Sequence, residues 1–273
     1  MTRRLRLKPL RVLKHLFLIA VSFLSAFPFY WMLSSATNDT ADIILGRILP
    51  GSHLLVNWAN LTGAGKIGTA FFNSVRNAVV LTFLSLFISS MAGYGFVIFR
   101  DKWKNKVMGV LMLSMMIPPA ATLIPMFRMF SQLGLINTLA GFMLPSIATV
   151  FLIFMFRQAT QSFPYEIVQA ARIDGLGEFN IFLRMFVPIM RPTYAAAAIV
   201  TFMNAWNSYL WPLVILQSPD QLTLPIYAGS FRGGYVLDYG LIMLVVTIST
   251  IPMLVIFFTL QRSFVVGILG SVK

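Results

Sequence analysis

This sequence predicts an all-α, polytopic membrane protein: six membrane-crossing helices, with a polar helical hairpin between the fourth and fifth. Three observations carry that expectation. Of the 273 residues, 58% are apolar and 11% charged, against roughly 45–50% and 25% in soluble domains. Six apolar runs are long enough for a hydrocarbon core of about 30 Å, which takes around 20 residues. Lysine and arginine also gather on alternate connections, as they do on the inner side of membrane proteins. A soluble globule with so few charges would expose large apolar patches and aggregate.

The first run, Leu16–Leu33, follows a basic amino terminus as a signal peptide would. It closes on Pro28-Phe29-Tyr30-Trp31 with no small-residue cleavage pattern, so it reads as an uncleaved span. The second span covers Ala78–Ile98, with a start as early as Phe71. Val107–Phe127 is the third; its Pro118, Pro119 and Pro125 read as kinks, because neighbouring helices in a bundle re-satisfy freed backbone groups. Leu139–Phe156 is the fourth, the fifth runs from just after Pro192 to about Leu216, and Tyr239–Leu260 is the sixth. The chain thus divides into an amino-terminal segment with the first span and first outer loop (1–70), a transmembrane domain (71–262) and a tail (263–273). Trp31, Trp58, Trp103, Trp206 and Trp211 lie near span ends or in loops, where indoles anchor at the membrane interface.

Six spans put both ends of the chain on one side, and charge selects which. With the amino terminus inside, the inner segments hold Arg3, Arg4, Arg6, Lys8, Arg11, Lys14, Arg100, Lys102, Lys104 and Lys106. They also hold Arg157, Arg172, Arg184, Arg191, Arg262 and Lys273, which makes 16 of the 21 basic residues. Outside are Arg47, Lys66, Arg76, Arg128 and Arg232. Both termini and the hairpin are therefore expected in the cytoplasm. The net charge of +13 then needs no nucleic acid to explain it; the partner it implies is membrane lipid.

The chemistry absent from the chain is informative. There is no cysteine, and His15 and His53 are too few and too distant to suggest a metal site. No Asp, Glu or Lys falls inside a span, whereas an ion-coupled carrier usually keeps such a group near the midplane. Gly63-Ala64-Gly65-Lys66 superficially suggests a phosphate loop, but Ile67 stands where Ser or Thr is needed, and no glycine lies five residues before Gly65. With no catalytic constellation in view, energy for active transport has to come from a partner.

The hairpin, 164–192, holds Glu166, Asp174 and Glu178 beside Arg172, Arg184 and Arg191. Pro164 reads as a helix start and Asp174-Gly175-Leu176-Gly177 as a break. Ile167, Ala170, Ala171 and Asp174 recur at helical spacing, and small alanines allow a partner to approach closely. Phe179, Phe182, Leu183, Met185 and Phe186 make an apolar second half expected to pack under the bundle. An interfacial helix lying on the inner leaflet is the alternative.

At these residues the sequence resembles the EAA loop of ATP-binding-cassette importer permeases. That pattern is Glu-Ala-Ala, three residues, Gly, nine residues, Ile, one residue, Leu-Pro. Gln169-Ala170-Ala171, Gly175, Met185, Val187 and Pro188 keep every spacing, with Gln, Met and Val as departures. Gln169 lacks the family's charge; Glu166, one turn earlier, is placed to substitute. The stretch from Met203 to Pro212 resembles the fifth-span signature of the carbohydrate-uptake branch, and Gln261–Gly267 with Gly270–Lys273 its carboxyl terminus. The chain is identified as similar to the smaller, second permease of maltose-type importers.

The resemblance implies a type I importer fold and a bacterial inner-membrane location. It implies a second permease, two cytoplasmic ATPase subunits that bind ATP and Mg, and an extracytoplasmic sugar-binding protein; this chain itself is no enzyme and holds no cofactor. Glu166, Gln169, Ala170, Ala171, Asp174 and Gly175 are the expected ATPase-coupling residues. Asn204, Trp206, Asn207, Ser208 and Tyr209 are expected on the substrate pathway, and Gln217, Pro219, Gly229, Gly233 and Gly234 against the binding protein. A sugar is the expected cargo, with glycerol phosphate or a polyol as an alternative. An ion-coupled carrier and a non-transporting scaffold are rival classes.

Overall fold

The computed structural model describes residues 9–63, 65–99, 101–231 and 237–269. Every regular element among the described residues is a helix. In chain order they are α1 (Pro9–Ser35), α2 (Thr40–Ile44), α3 (Leu54–Gly63), α4 (Ile67–Ile98) and α5 (Lys104–Ser114). Next come α6 (Pro119–Gln132), α7 (Leu139–Met143), α8 (Val150–Thr160), α9 (Tyr165–Ile173) and α10 (Glu178–Ile181). The last are α11 (Val187–Ile189), α12 (Arg191–Trp206), α13 (Leu210–Ile215), α14 (Leu224–Ser230) and α15 (Tyr239–Leu269). The chain divides into two compact units, Met1–Gly65 with Ala228–Thr250 and Lys66–Tyr227 with Ile251–Lys273.

Three of the six expected spans are continuous: Arg11–Ser35, Ile67–Ile98 and Tyr239–Thr259. The other three are bent pairs, and here the structure corrects the sequence reading. The prolines of the third span do more than kink it, since α5 and α6 meet at 97°. Pro118 is extended (φ −65°, ψ 133°) and Pro119 opens the next helix, as expected where a proline disfavours helix in the residue before it. The fourth span bends by 50° at Ile147–Thr149, where Thr149 is extended. The hydroxyl of Ser85 donates to the carbonyls of Ser146 (3.2 Å) and Ile147 (3.0 Å), satisfying groups that the break frees.

The fifth apolar run is not one helix. Its α12 has 16 residues, about 24 Å at 1.5 Å per residue, and ends at Trp206 before α13 resumes at Leu210. Pro212 lacks the N–H that would reach Ser208, and its ring crowds that carbonyl, which favours a break one turn before it. The stretch Glu178–Ile189 meets α12 at 83°, so the hairpin's second half runs directly into the fifth span. The sixth helix continues to Leu269, through 263–269 where the sequence reading placed a tail.

In the first unit, α1 carries exposed apolar side chains around its whole girth, Phe23 at 75%. A helix apolar on every side suits lipid rather than water. Beyond it, the Asn57 amide donates to the carbonyls of Ala36 and Asn38 (both 3.0 Å). The Asn38 amide donates to Ser34 and Leu49 (both 3.0 Å), so buried polar groups tie the first outer connection together.

In the second unit, α4 is the axis, packed against α8 and α12. Its buried face runs Asn77, Leu81, Ser85, Ser89 and Gly93 at four-residue spacing. Small residues let helices approach without a hydrophobic driving force. At Gly93 a Cβ would lie 2.5 Å from the Phe156 Cβ and 2.8 Å from the Arg157 nitrogen, whereas at Gly95 it would meet nothing within 4 Å. Gly93→Ala is therefore expected to destabilise by about 1–3 kcal/mol. Gly95→Ala should be neutral or stabilising through helix propensity. Thermal unfolding of the two purified variants in one detergent checks the contrast.

Candidate functional site

The hairpin is built as its residues dictate. Pro164 is extended before α9, and Gly175 sits in the left-handed region at φ +79°. The Leu176 N–H donates to Ala171 (3.0 Å) and the Gly175 N–H to Arg172 (3.1 Å), which is the paired closure of a Schellman motif. Glycine adopts that φ without the cost of roughly 1–2 kcal/mol that a side chain incurs. A Cβ at Gly175 would meet nothing within 4 Å in this chain.

One face of α9 is buried and one is not. Val168 is 0% and Ala171 5% exposed, in a cluster with Tyr94, Ile98, Phe163, Ile181, Phe182, Phe186 and Met190. Of the two alanines expected to couple, Ala171 packs within its own chain, and Ala170 is exposed. Ile167 also leans on this cluster. Glu166, Gln169, Ala170, Asp174 and Gly175 are exposed, and between them stands Ile173, an aliphatic side chain 87% exposed. Ile173 is not among the expected coupling residues, although its spacing of four from Gln169 and seven from Glu166 puts it on that face.

The mount beneath α9 is aromatic. The Tyr94 ring of α4 lies 5.5 Å from Phe182 and 4.9 Å from Phe186, and Phe163 lies 5.4 Å from Phe186. Phe182–Phe186 is a π-helical turn directly before Pro188. A regular α-turn would drive the Pro188 ring into the Arg184 carbonyl, and the wider turn avoids this. Of the residues expected to pack under the bundle, Phe182 and Phe186 are buried, while Phe179 is 54% and Leu183 39% exposed. Arg172 pairs with Glu178 across the break at 2.6 Å and donates to the Tyr165 hydroxyl at 3.3 Å. The bond to Glu178 raises the Arg172 pKa further, so the guanidinium stays charged.

A second feature lies in the same unit, between two helix breaks. A cavity of about 100 Å³ is lined by Ser146 and Thr149 from the fourth span and by Thr201, Asn204, Ser208 and Trp211 from the fifth, with apolar walls including Phe142 and Phe151. Asn204 and Ser208 were expected on a substrate pathway; Ser146, Thr149 and Thr201 were not. Thr201, Asn204 and Ser208 are spaced by three and four, a one-face pattern that the sequence displays. The other expected pathway residues are elsewhere. Asn207 and Tyr209 are exposed outside the cavity lining. Trp206 is 2% exposed, stacked on Phe202 (5.6 Å) and edge-on to Phe71 (6.2 Å).

The segment expected to face a binding protein starts as an anchored strap. The Asn137 carboxamide oxygen accepts from the N–H groups of Gln217 (2.6 Å) and Ser218 (2.8 Å), and the Asn73 amide donates to Asp220 (2.8 Å) and Leu222 (3.1 Å). Gln217 and Pro219 are exposed, and Gly229 lies in α14. Gly233 and Gly234 lie outside the described residues.

A helical polytopic subunit with a mounted, outward-facing helix and a cavity between broken spans is a transport protein in plan. The family of binding-protein-dependent transport system inner membrane components matches residues 85–269. Curated relatives align over nearly their whole length. The lactose transport system permease protein LacG of Rhizobium radiobacter is 45% identical over 262 residues, 96% of each chain. The arabinooligosaccharides transport system permease protein AraQ of Bacillus subtilis (strain 168) is 32% identical over 269, again 96% of each. The sn-glycerol-3-phosphate transport system permease protein UgpE of Escherichia coli (strain K12) is 29% identical over 274, 97% of this chain and 98% of that one. A crystal structure of a bacterial ABC transporter involved in the import of the acidic polysaccharide alginate has the same fold, with a TM-score of 0.83 over 97% of this chain and 99% of that chain, at 18% identity. The chain belongs to the family of binding-protein-dependent transport system inner membrane components. It is a membrane permease rather than an enzyme, as its resemblance implied.

Arg172→Ala removes the cation that pairs with Glu178 across the break, a half-exposed pair worth up to about 1 kcal/mol. Hydrogen exchange of the 165–174 amides is expected to quicken in that variant.

Proposed function

We propose that this chain is the smaller of two permeases in an ATP-driven importer of a neutral di- or oligosaccharide of the lactose type. Its 45% identity to a lactose permease supports that cargo over glycerol phosphate, whose permease is 29% identical. In this reading the pathway forms with a second permease, and an extracytoplasmic binding protein delivers the sugar. Two ATPase subunits hold ATP and Mg. Gln217 and Pro219 are candidates for the binding-protein contact, with Gly229, Gly233 and Gly234 further along the segment. Asn204 and Ser208 lead the pathway candidates, ahead of Asn207, Tyr209 and the buried Trp206. The termini and α9 face the cytoplasm of the bacterial cell, as the 16-to-5 division of basic residues supports.

One observation carries the coupling role: α9 is fixed on one face by a buried aromatic mount and open on the other. Glu166, Gln169, Ala170, Ile173 and Asp174 form that open face, an amphipathic helix offered to a groove. Ala171 and Gly175 position it, one through the mount and one through the turn. ATPase closure on ATP would move α9 as a body and bias the spans between two states. Gln169 then contributes a neutral hydrogen bond where the family pattern carries a charge.

The complete complex in proteoliposomes tests this. Ile173→Asp and Gly175→Trp are each expected to lower ATP-dependent sugar uptake more than tenfold, with wild-type amounts of permease in the membrane. Uptake at the wild-type rate by both variants would sink the docking role.

A further inference from the structure

The cavity between the two helix breaks has a property that the family assignment does not supply. Span hydroxyls in this chain commonly turn back on their own helix: Thr247 donates to Met243 (2.8 Å), Ser249 to Val245 (2.8 Å) and Thr259 to Val255 (2.9 Å). That satisfies the hydroxyl where no water is at hand. The side chains of Ser146, Thr149, Thr201, Asn204 and Ser208 make no hydrogen bond among the described residues, and all five line the cavity. Thr149 occupies the N-cap position of α8 without capping it. Thr149 and Asn204 are exposed and Ser146, Thr201 and Ser208 half-buried, so these donors and acceptors are open to a solute that enters the cavity.

The rest of the lining narrows what that occupant is. No ionisable side chain contributes to it, so a phosphate or carboxylate would enter without the Arg or Lys that normally meets it. Phe151 is 47% exposed, and Trp211 is pinned by its Nε1–H to the Gly141 carbonyl (3.0 Å). Such aromatic surfaces suit the C–H face of a sugar ring. The volume of about 100 Å³ is room for roughly seven to ten waters, a scale that fits one pyranose ring and not two.

We propose that this permease itself binds one ring of its sugar here. Thr149 and Thr201 act as specificity-determining residues, and the site excludes anionic solutes. The proposal rests on the sugar-importer reading above. It places a binding unit wholly within this subunit, between its fourth and fifth spans.

The test uses the complete complex in proteoliposomes, with lactose, its monodeoxy analogues and sn-glycerol 3-phosphate as probes. Thr149→Val and Thr201→Val remove a hydroxyl at nearly constant volume. Each is expected to raise the KM for lactose two- to tenfold, the scale of one hydrogen bond. Each should also lose discrimination against one particular deoxy analogue, which a merely structural defect would not produce. KM is read at matched amounts of assembled complex, so reduced yield does not imitate the effect. If wild type imports lactose and both variants keep its KM and its ranking of analogues, the cavity assignment is overturned and the importer reading stands. If wild type imports sn-glycerol 3-phosphate, or no neutral sugar at all, the importer reading falls and takes this proposal with it.

Discussion

Backbone groups freed by a break in a membrane-spanning helix must find partners, because lipid offers none. This constraint explains where the chain is irregular and what surrounds each irregularity. Ser85 of α4 meets the carbonyls of Ser146 and Ile147 at the break before α8. Asn137 accepts from the N–H groups of Gln217 and Ser218 just past α13 and donates its own N–H to the Ile215 carbonyl at 2.8 Å. Residues that look like scattered polar defects in an apolar sequence are the partners that make the broken spans affordable. Where the breaks face one another, hydroxyl and amide groups line a cavity.

The same logic separates the two halves of the hairpin. Its second half is driven by burial, with Phe182 and Phe186 locked against Tyr94 at the end of α4. Its first half is only half driven by burial, since Val168 and Ala171 are enough to seat α9. An open face carrying Ile173 at 87% exposure is a cost to an isolated subunit and an asset to an assembled one. In the proposed coupling, a shift of the seated helix would be transmitted because packed aromatic clusters shift as blocks rather than deform continuously.

Much of this was legible in the residues. Run length gave the six apolar segments, and Pro164 and Gly175 bounded α9 because their backbone preferences are local. The breaks were less legible, since hydropathy sums over side chains and does not register a backbone that turns at Ile147–Thr149. Pro212 was the available signal for the interruption after Trp206. Which alanine of the pair points inward depends on Tyr94 and Phe182, remote in sequence, so Ala170 and Ala171 read alike. The cavity drew on two spans some fifty residues apart; Asn204 and Ser208 stood out within a recognisable motif, whereas Thr149 carried no such mark. Trp206 is buried, which the sequence did not decide, because an indole near a span end looks the same whether it anchors, binds or packs.

The central claim is that the open face of α9 is covered by a protein partner and not by the membrane surface. The chain has no cysteine, so a single nitroxide can be placed at position 173 in the permease pair, with and without the ATPase subunits. The account predicts a label open to a water-soluble relaxation agent in the permeases alone and shielded from it once the ATPase is bound. A label that is oxygen-accessible, as in lipid, in both samples would contradict it.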